Sequence, residues 1–393
     1  MCPPRIVTAG VITLAALLAA GSLRAEDPSL QIQRGQVPGI AELMGSGSAT
    51  GSHRVEFSDG LEDWWPVHAV RDAAQWAWDW DDVAARRAGF FRLFDATPPV
   101  IAGHGSWKNE VTLPGDDFLS APLAGTGVFA ENVEVRWVKF AMIIDGLPRV
   151  YFQKSADYTF HFNFATERLS PFLGMSLEDF NGVSLTRSGQ EVVLGAVLWA
   201  PERNEFGIQF VGQDEYPREM LRFLFETVEG QIDHPEDAAG FYMPTYEQSD
   251  AAERDRVYLA GHGIEVSSPE RWIGGTVCYS SGWALGRLVF VEASEIDEAY
   301  ASGDLLPTDI LLTAGVPAEV PFVAGIVTLA PTTPNSHVAI LAQSYGIPFV
   351  YLREPSEQER VMALNGREVV LRTRGYSCEQ IAIFDVDGID PVY

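Results

Sequence analysis

The sequence between residues 323 and 352 limits the possible folds of this chain more than any other stretch. Two short apolar runs, 323–329 and 347–352, have the composition of buried strands. Between them, Ser336 is suited to cap a helix over residues 337–345, and Gly346 supplies the left-handed residue that ends it. The segment is therefore predicted to form a strand, a proline-containing loop, a helix and a second strand.

This arrangement places His337 in the first turn of the predicted helix. The positive end of a helix dipole favours a neutral imidazole and stabilises an anion, such as a phosphoryl group, held beside it. His337 is therefore a candidate functional residue. A plain surface histidine at a helix start is the alternative interpretation.

Charge and the amino terminus restrict the partners and the compartment. The chain has 393 residues, with 54 acidic against 27 basic side chains, which argues against binding to nucleic acid or anionic membranes. Residues 1–25 combine one early arginine, Arg5, with an apolar run and small residues, as in a secretory signal peptide. We therefore expect export to the periplasm or the cell exterior, with no transmembrane anchor after cleavage.

The signal peptide is followed by a polar stretch, residues 26–52, which includes GSGSATGS and is predicted to be a flexible linker. After cleavage, Cys278 and Cys378 remain; export allows them to form a disulfide, and two buried thiols are the alternative. No Cys and His spacing resembles a zinc site, so no metal is predicted.

Residues 53–255 are predicted to form an α+β domain with an antiparallel sheet. The segment 61–94 has high helix propensity after Pro66 and carries five tryptophans. These fit either a carbohydrate-binding platform or, as we favour, a helix packed on a core. The tryptophans are Trp64, Trp65, Trp76, Trp78 and Trp80.

Alternating apolar residues predict strands over 133–137 and 159–164, and a hairpin formed by 191–200 and 205–211. One face of this sheet is expected to be buried, with a helix from Pro217 to Ile232 packed on it. Polar side chains near 161–168 either face water or line a binding site; they are His161, Asn163, Glu167 and Arg168. A domain boundary is expected in or just after residues 234–253.

Residues 271–375 are predicted to form a compact α/β domain. A strand over 274–279 is expected to turn and return over 284–291, followed by a helix over 294–300 and a strand over 309–313. The opening segment and a closing strand over 365–373 complete it, and residues 376–393 are a tail. The tail contains Asp385, Asp387 and Asp390, which we interpret as solvated rather than as a calcium loop.

Four segments in this order carry a resemblance: CYSSGWALGRLVFV, GDLLPTDILLTAG, AGIVTLAPTTPNSHVAILAQSYGIPFV and NGREVVL. Together they resemble the mobile, swivelling phosphohistidine domain of the phosphoenolpyruvate-utilising enzymes, a family that includes phosphoenolpyruvate synthase and pyruvate phosphate dikinase. A weaker resemblance, in YFQKSADYTFHFNFATERLSPFLGM and the segments after it, is to exported bacterial proteins of the phosphoenolpyruvate/pyruvate-binding kind. Thr332 and Thr333 stand where the family usually has glycines.

The resemblance implies that His337 accepts a phosphoryl group and carries it to an acceptor, with Ser336 and Asn335 stabilising the phosphate. This chain alone would then be at most part of a phosphotransferase and would hold no cofactor. Mg-ATP or phosphoenolpyruvate would act through a separate nucleotide-binding, kinase-like domain or partner protein. The alternative function is a non-catalytic exported binding or assembly protein that keeps the swivelling fold.

Overall fold

The computed structural model describes residues 5–9, 29–34, 40–46, 52–73, 75–80, 89–96, 107–113, 125–128, 134–373 and 381–387. These residues have mixed α and β content, with antiparallel sheets, one short parallel pair and two mixed sheets. In this part of the chain, no helix is both long and apolar enough to cross a membrane. The predicted signal peptide lies outside the described residues except for a strand at Arg5–Ala9.

The first part of the chain forms two small antiparallel sheets, of order β1-β7-β4-β5 and β2-β3-β6. Their strands are β1 (Arg5–Ala9), β2 (Ser29–Arg34), β3 (Ala41–Ser46), β4 (Ser52–Ser58), β5 (Trp65–Val70), β6 (Gln75–Trp80) and β7 (Gly89–Ala96).

Two sequence predictions are wrong in this region. Strands β2 and β3 lie inside the range predicted to be a flexible linker, where Ala41 and Leu43 alternate with less buried neighbours as in a half-buried strand. The segment 61–94, predicted to be helical, contains β5, β6 and part of β7. Aromatic side chains favour strands, and this preference together with sheet pairing outweighs helix propensity there.

The middle of the chain builds an eight-stranded sheet whose path is β17-β16-β14-β13-β11-β12-β8, with β10 also paired to β11. A short parallel pair, β9 and β15, lies beside it. The elements are β8 (Trp107–Lys108), β9 (Val111–Thr112), β10 (Gly125–Val128), β11 (Glu134–Ile143), β12 (Arg149–Gln153), α1 (His161–Arg168), α2 (Leu177–Ser184), β13 (Val192–Ala200), β14 (Glu205–Val211), α3 (Arg218–Glu229), β15 (Ile232–Asp233), β16 (Ala239–Tyr242), α4 (Ser249–Arg254), α5 (Arg256–Gly261) and β17 (Glu265–Val266).

The predicted strand near residue 135, the β13–β14 hairpin and the helix α3 are confirmed. Three expectations are wrong. Residues 161–168 form helix α1 instead of a strand, because Phe164 and Ala165 turn inward together on one helical face. Every residue of β13 is buried, so both faces of this sheet are covered. The sheet also continues to Val266, beyond the expected end of the first domain.

The last part of the chain forms a seven-stranded sheet of order β18-β22-β21-β20-β19-β23-β24. Strands β19, β20, β21 and β22 run parallel. Strand β18 pairs antiparallel to β22, β23 pairs antiparallel to β19, and β24 pairs antiparallel to β23. The elements are β18 (Val277–Ser280), β19 (Gly282–Phe290), α6 (Ile296–Ser302), β20 (Ile310–Thr313), β21 (Gly325–Thr328), α7 (His337–Tyr345), β22 (Phe349–Tyr351), α8 (Pro355–Met362), β23 (Glu368–Thr373) and β24 (Ala382–Asp385).

The strands and helices predicted for 271–375 occur in the predicted order, but helix α8, between β22 and β23, was missed and one pairing is wrong. Strand β19 does not return along β18; it lies between β20 and β23, on the other side of the sheet. Part of the predicted tail is also ordered, since β24 pairs with β23. Short 3-10 turns complete the described elements, at Ser170–Phe172, Pro201–Arg203, Tyr246–Gln248, Pro269–Trp272 and Ala293–Glu295.

A shared hydrophobic core joins the two large sheets. Val135, Leu198 and Phe241 from the eight-stranded sheet belong to the same buried cluster as Tyr279 and Phe349 from the seven-stranded sheet. Such burial is the main favourable term that holds packed layers together. A gap in this interface lies in front of the first turn of α7.

Candidate functional site

Helix α7 has the caps that its sequence predicts. The hydroxyl of Ser336 accepts a hydrogen bond of 3.2 Å from the backbone N–H of Ala339, and Gly346 ends the helix with a φ of 68°. The first-turn N–H groups of His337 and Val338 have no acceptor within the helix. The start of α7 therefore offers two backbone donors and the positive end of a helix dipole.

The imidazole of His337 lies at this helix start and is exposed to the cavity. The ring of Phe160 meets it edge to face, with 5.3 Å between the ring centroids. The burial of its surroundings and the nearby Lys139 ammonium lower the pKa of His337 below its ordinary value of 6.5. The imidazole is consequently neutral at pH 7, as a nitrogen nucleophile must be.

The floor of the cavity is a row of three residues across neighbouring strands of the eight-stranded sheet. Lys139 on β11 pairs with Ala196 on β13, and Ala196 pairs with Gln209 on β14. Paired residues on adjacent strands point to the same face of a sheet. The methyl group of Ala196 thus separates two longer polar side chains and leaves space above the sheet.

Lys139 is a buried cation. The residue is only 4% exposed, and its Nζ donates a hydrogen bond of 2.8 Å to the carbonyl of Thr159. Within the described residues, no carboxylate forms an ion pair with it. Burial alone lowers the pKa of Lys139 to about 7. Buried amines without a counter-ion are costly, and they are frequent at functional sites.

The front wall of the cavity is formed by α1, where His161 donates from Nε2 to the carbonyl of Gly195 over 2.9 Å. Burial and the charge of Lys139 lower the pKa of His161 to about 3, so this ring is neutral. Of the four polar residues predicted near 161–168, only His161 lines the cavity. Glu167 and Arg168 instead contact the hydroxyl of Tyr158, and Asn163 is exposed.

The loop before α7 is held by neighbours on both sheets. Tyr279 fixes the backbone of Thr332 through two hydrogen bonds of 2.8 and 2.9 Å, and Thr333 donates to Gln209 over 3.3 Å. Asn335 is 5% exposed and lines the cavity, yet its side-chain oxygen has no hydrogen-bond partner among the described residues. A buried amide oxygen without a donor is unusual in proteins and indicates a position that a ligand can satisfy.

These residues enclose a cavity of about 520 Å³, a size typical of sites for small molecules. The wall provided by the middle of the chain is mainly apolar. Its apolar residues are Phe160, Phe162, Leu177, Phe180, Leu185, Leu194 and Val211. The cavity therefore combines an aromatic, aliphatic surface with the Lys139 cation, amide groups and the three carboxylates Glu247, Glu270 and Glu319.

Ser336, His337 and Asn335, the three residues predicted from the family resemblance, all line this cavity. Lys139 and Gln209, which no local sequence motif marks as site residues, face them from the eight-stranded sheet. A lysine inside the apolar run VEVRWVKFAMI was the available signal, since a strand buried on both faces rarely tolerates a charge.

The other candidates have structural roles. Trp65 and Trp80 are buried and contact Phe57, and Trp78 stacks on His68 with 4.6 Å between centroids, which supports core packing for these tryptophans. Asp385 forms an ion pair of 2.6 Å with Arg367 instead of belonging to an acidic loop, and Asp390 lies outside the described residues. Among the described residues, no group of three His, Cys, Asp or Glu side chains is placed to hold a metal ion.

The two alternatives for Cys278 and Cys378, a disulfide or two thiols, both stay open. Cys278 is buried, and its thiol donates to the carbonyl of Ser280 over 3.4 Å. Cys378 lies outside the described residues.

Comparison of the chain with protein-family models, with curated proteins and with solved structures gives no match.

Proposed function

We propose that this protein is a phosphoryl carrier in which His337 accepts and passes on a phosphoryl group. The observation that carries the proposal is the position of His337: a neutral, accessible imidazole at the start of a capped helix, facing a cavity that contains a buried lysine. Residues 271–375 would then act as a swivelling phosphohistidine-type domain, in line with the family resemblance of their sequence.

The chemical step needs little from the protein besides position and charge. A ring nitrogen of His337 forms a bond to phosphorus while the bond from phosphorus to the donor oxygen breaks, and the donor leaves with that electron pair. The imidazole N–H proton is lost to solvent or to the leaving group. Free first-turn N–H groups of α7 and the Lys139 ammonium would stabilise the phosphoryl oxygens.

The threonines at family glycine positions depart from the family pattern and change how a phosphate would be held. The backbone N–H of Thr332 is already bonded to the hydroxyl of Tyr279. Phosphate oxygens would therefore be held by the helix start and by side chains, not by a glycine-rich loop. We expect the donor, Mg-ATP or phosphoenolpyruvate, to bind on a separate nucleotide-binding, kinase-like domain or partner.

The test is to treat the purified protein with potassium phosphoramidate, a small chemical donor, and separately with Mg-ATP or phosphoenolpyruvate plus cell extract. We expect an acid-labile, base-stable gain of one phosphoryl mass on the peptide that contains His337. The variant His337→Gln should lose the label, and the matched variant His262→Gln, at the end of α5, should keep it. Equal labelling of His337→Gln and wild type would contradict the proposal.

A second function is favoured by one observation, the shared core between the two large sheets. Rotation of a swivelling domain would have to expose Leu198 and Phe241, which are buried there. A non-catalytic binding or assembly protein, exported as its amino terminus suggests, needs no such rotation. In that case no donor labels His337, although the cavity still binds a ligand.

A further inference from the structure

We infer that the cavity between the two large sheets binds a small organic anion with an apolar body, its anionic group held by Lys139 and the first turn of α7. The apolar body would lie against Phe162, Phe180 and Leu194. The inference deepens the proposed function, because it names the class of compound that would exchange a phosphoryl group with His337. Exchange of a phosphoryl group between this ligand and His337 rests on the proposed function, whereas binding of the ligand in the cavity does not.

The anionic end follows from the charges and donors around the cavity. Lys139 contributes a cation whose one described hydrogen bond goes to the carbonyl of Thr159, which leaves two of its three N–H donors available. The nine-residue helix α7 contributes the N–H groups of His337 and Val338. A phosphate or carboxylate would satisfy both sets of donors and remove the cost of a buried, uncompensated ammonium.

The apolar end follows from the α1–α2 side of the cavity. Phe162 and Phe180 meet edge to face, with 5.8 Å between their centroids, and Leu194 continues this surface on the sheet. Between this surface and the polar groups lies Ala196, whose side chain is only a methyl group. A single ligand can therefore touch both regions.

The orphan oxygen of Asn335 defines the ligand further. A carbonyl oxygen accepts hydrogen bonds and cannot itself hold an anion. Since Asn335 lines the same cavity and is almost fully buried, the ligand should present a donor to it. A hydroxyl group, either on the organic body or on a protonated phosphate, has this property.

The probe for the test is phenyl phosphate, which combines an aromatic body with a phosphate, measured by isothermal titration calorimetry at pH 6.5. Inorganic phosphate and phenol are its two separate halves. We expect phenyl phosphate to bind at least tenfold more tightly than either half, because the cavity contacts both parts. Phenyl phosphate that binds no more tightly than inorganic phosphate would remove the apolar body from the inference.

Lys139→Met keeps most of the length of the side chain and removes its charge, and we expect it to weaken phenyl phosphate binding at least tenfold. Lys154→Met, which removes a lysine that pairs with Asp157 on a loop, is the matched control and should bind as wild type does. Ala196→Leu tests the cavity without a change in charge and should also abolish binding. If Lys139→Met and Lys154→Met bind equally, the anion site is not at Lys139.

The pH dependence gives a readout that a purely structural lysine would not produce. Ligand binding should weaken as the pH rises above about 7, where Lys139 loses its proton. Near that pH the protein should take up protons when the ligand binds. The imidazoles of His161 and His337 face Lys139, and both stay neutral above pH 7. The carboxylates that line the cavity are Glu247, Glu270 and Glu319; burial raises the pKa of Glu247 above 4.5.

The two proposals fail in different ways. If His337 is labelled by phosphoramidate but phenyl phosphate does not bind at millimolar concentration, the carrier function survives and this ligand class is wrong. If phenyl phosphate binds and depends on Lys139 while His337 is never labelled, the site is a binding site without transfer. Loss of affinity in all variants, the control included, would contradict the ligand inference.

Discussion

At the scale of single residues, Lys139 is the most informative position in the chain. It occupies one face of β11 between neighbours that pack on different clusters: Val135 belongs to the core shared by the two large sheets, and Ala141 to the cluster around α1 and α2. An apolar residue at position 139 would let these clusters merge. Lys139 separates the two clusters at the cavity. A charged residue at this position is expected if it binds a ligand and does not serve to stabilise the fold.

Replacement of Lys139 by methionine should therefore change stability in a pH-dependent way. The pKa of Lys139 falls from 10.5 in the unfolded chain to about 7 in the folded chain. Between these pH values the unfolded chain binds more protons than the folded chain, so the cost of burying the amine, which is full below pH 7, decreases as the pH rises. From pH 7.5 to 9.5 this residue should let the wild-type free energy of unfolding rise by roughly 2 kcal/mol. Urea denaturation of wild type and Lys139→Met at both pH values measures the difference. Identical pH slopes would show that Lys139 keeps an ordinary pKa.

His161 should make the protein sensitive to acid. Its folded pKa of about 3 lies below the ordinary 6.5, so the unfolded chain takes up a proton that the folded chain refuses as the pH falls from 6.5 towards 3. The free energy of unfolding should then decrease over this range. His161→Gln keeps a donor for the carbonyl of Gly195 and should lose less stability between pH 6.5 and 4.5. Thermal denaturation at both pH values checks this, and an equal loss in both proteins would contradict it.

The sequence identified half of the site at this scale. His337, Ser336 and Asn335 are close in sequence, and local capping rules together with a family resemblance select them. Lys139 and Gln209 join them only through the register of β11, β13 and β14. Register between distant strands depends on the whole sheet, so no local pattern in the sequence predicts that these side chains meet.

At the scale of elements, helix α7 was predicted with its observed bounds because its start and stop signals are both strong. Ser336 and Gly346 adopt the conformations that their residue types favour. Residues 65–80 show the opposite case. Their helix propensity is real, but Trp76, Trp78 and Trp80 alternate with Ala77 and Asp79, and pairing of β6 with β3 decides the outcome.

The cap of α7 gives a direct test at this scale. Ser336→Ala removes the acceptor for the N–H of Ala339 and should cost about 1 kcal/mol of stability. Ser336→Asp keeps an acceptor and should cost much less. Both are measured by urea denaturation at pH 8, where His337 is neutral. Equal losses in the two variants would show that the cap contributes nothing and that another contact of Ser336 matters.

At the scale of the whole molecule, the packing of the two large sheets decides between the two functions. A carrier that rotates needs an interface that opens at moderate cost, whereas obligate packing resembles a domain core cut in half. Here the interface contains fully buried side chains from both sheets and the hydrogen bond between Thr333 and Gln209. In the described arrangement the two sheets are packed together and His337 faces the cavity.

Leu198→Ala tests whether the sheets behave as one unit. Leu198 is fully buried in the shared core, so its truncation should cost about 2–5 kcal/mol. If the sheets are coupled, amide hydrogen exchange should speed up by a similar factor in β13 and in β21–β22. The strands β21 and β22 belong to the other sheet and form no backbone hydrogen bonds with β13, the strand of Leu198. If only β11–β14 lose protection, the seven-stranded sheet is an independent unit that can separate, and the carrier function gains over static binding.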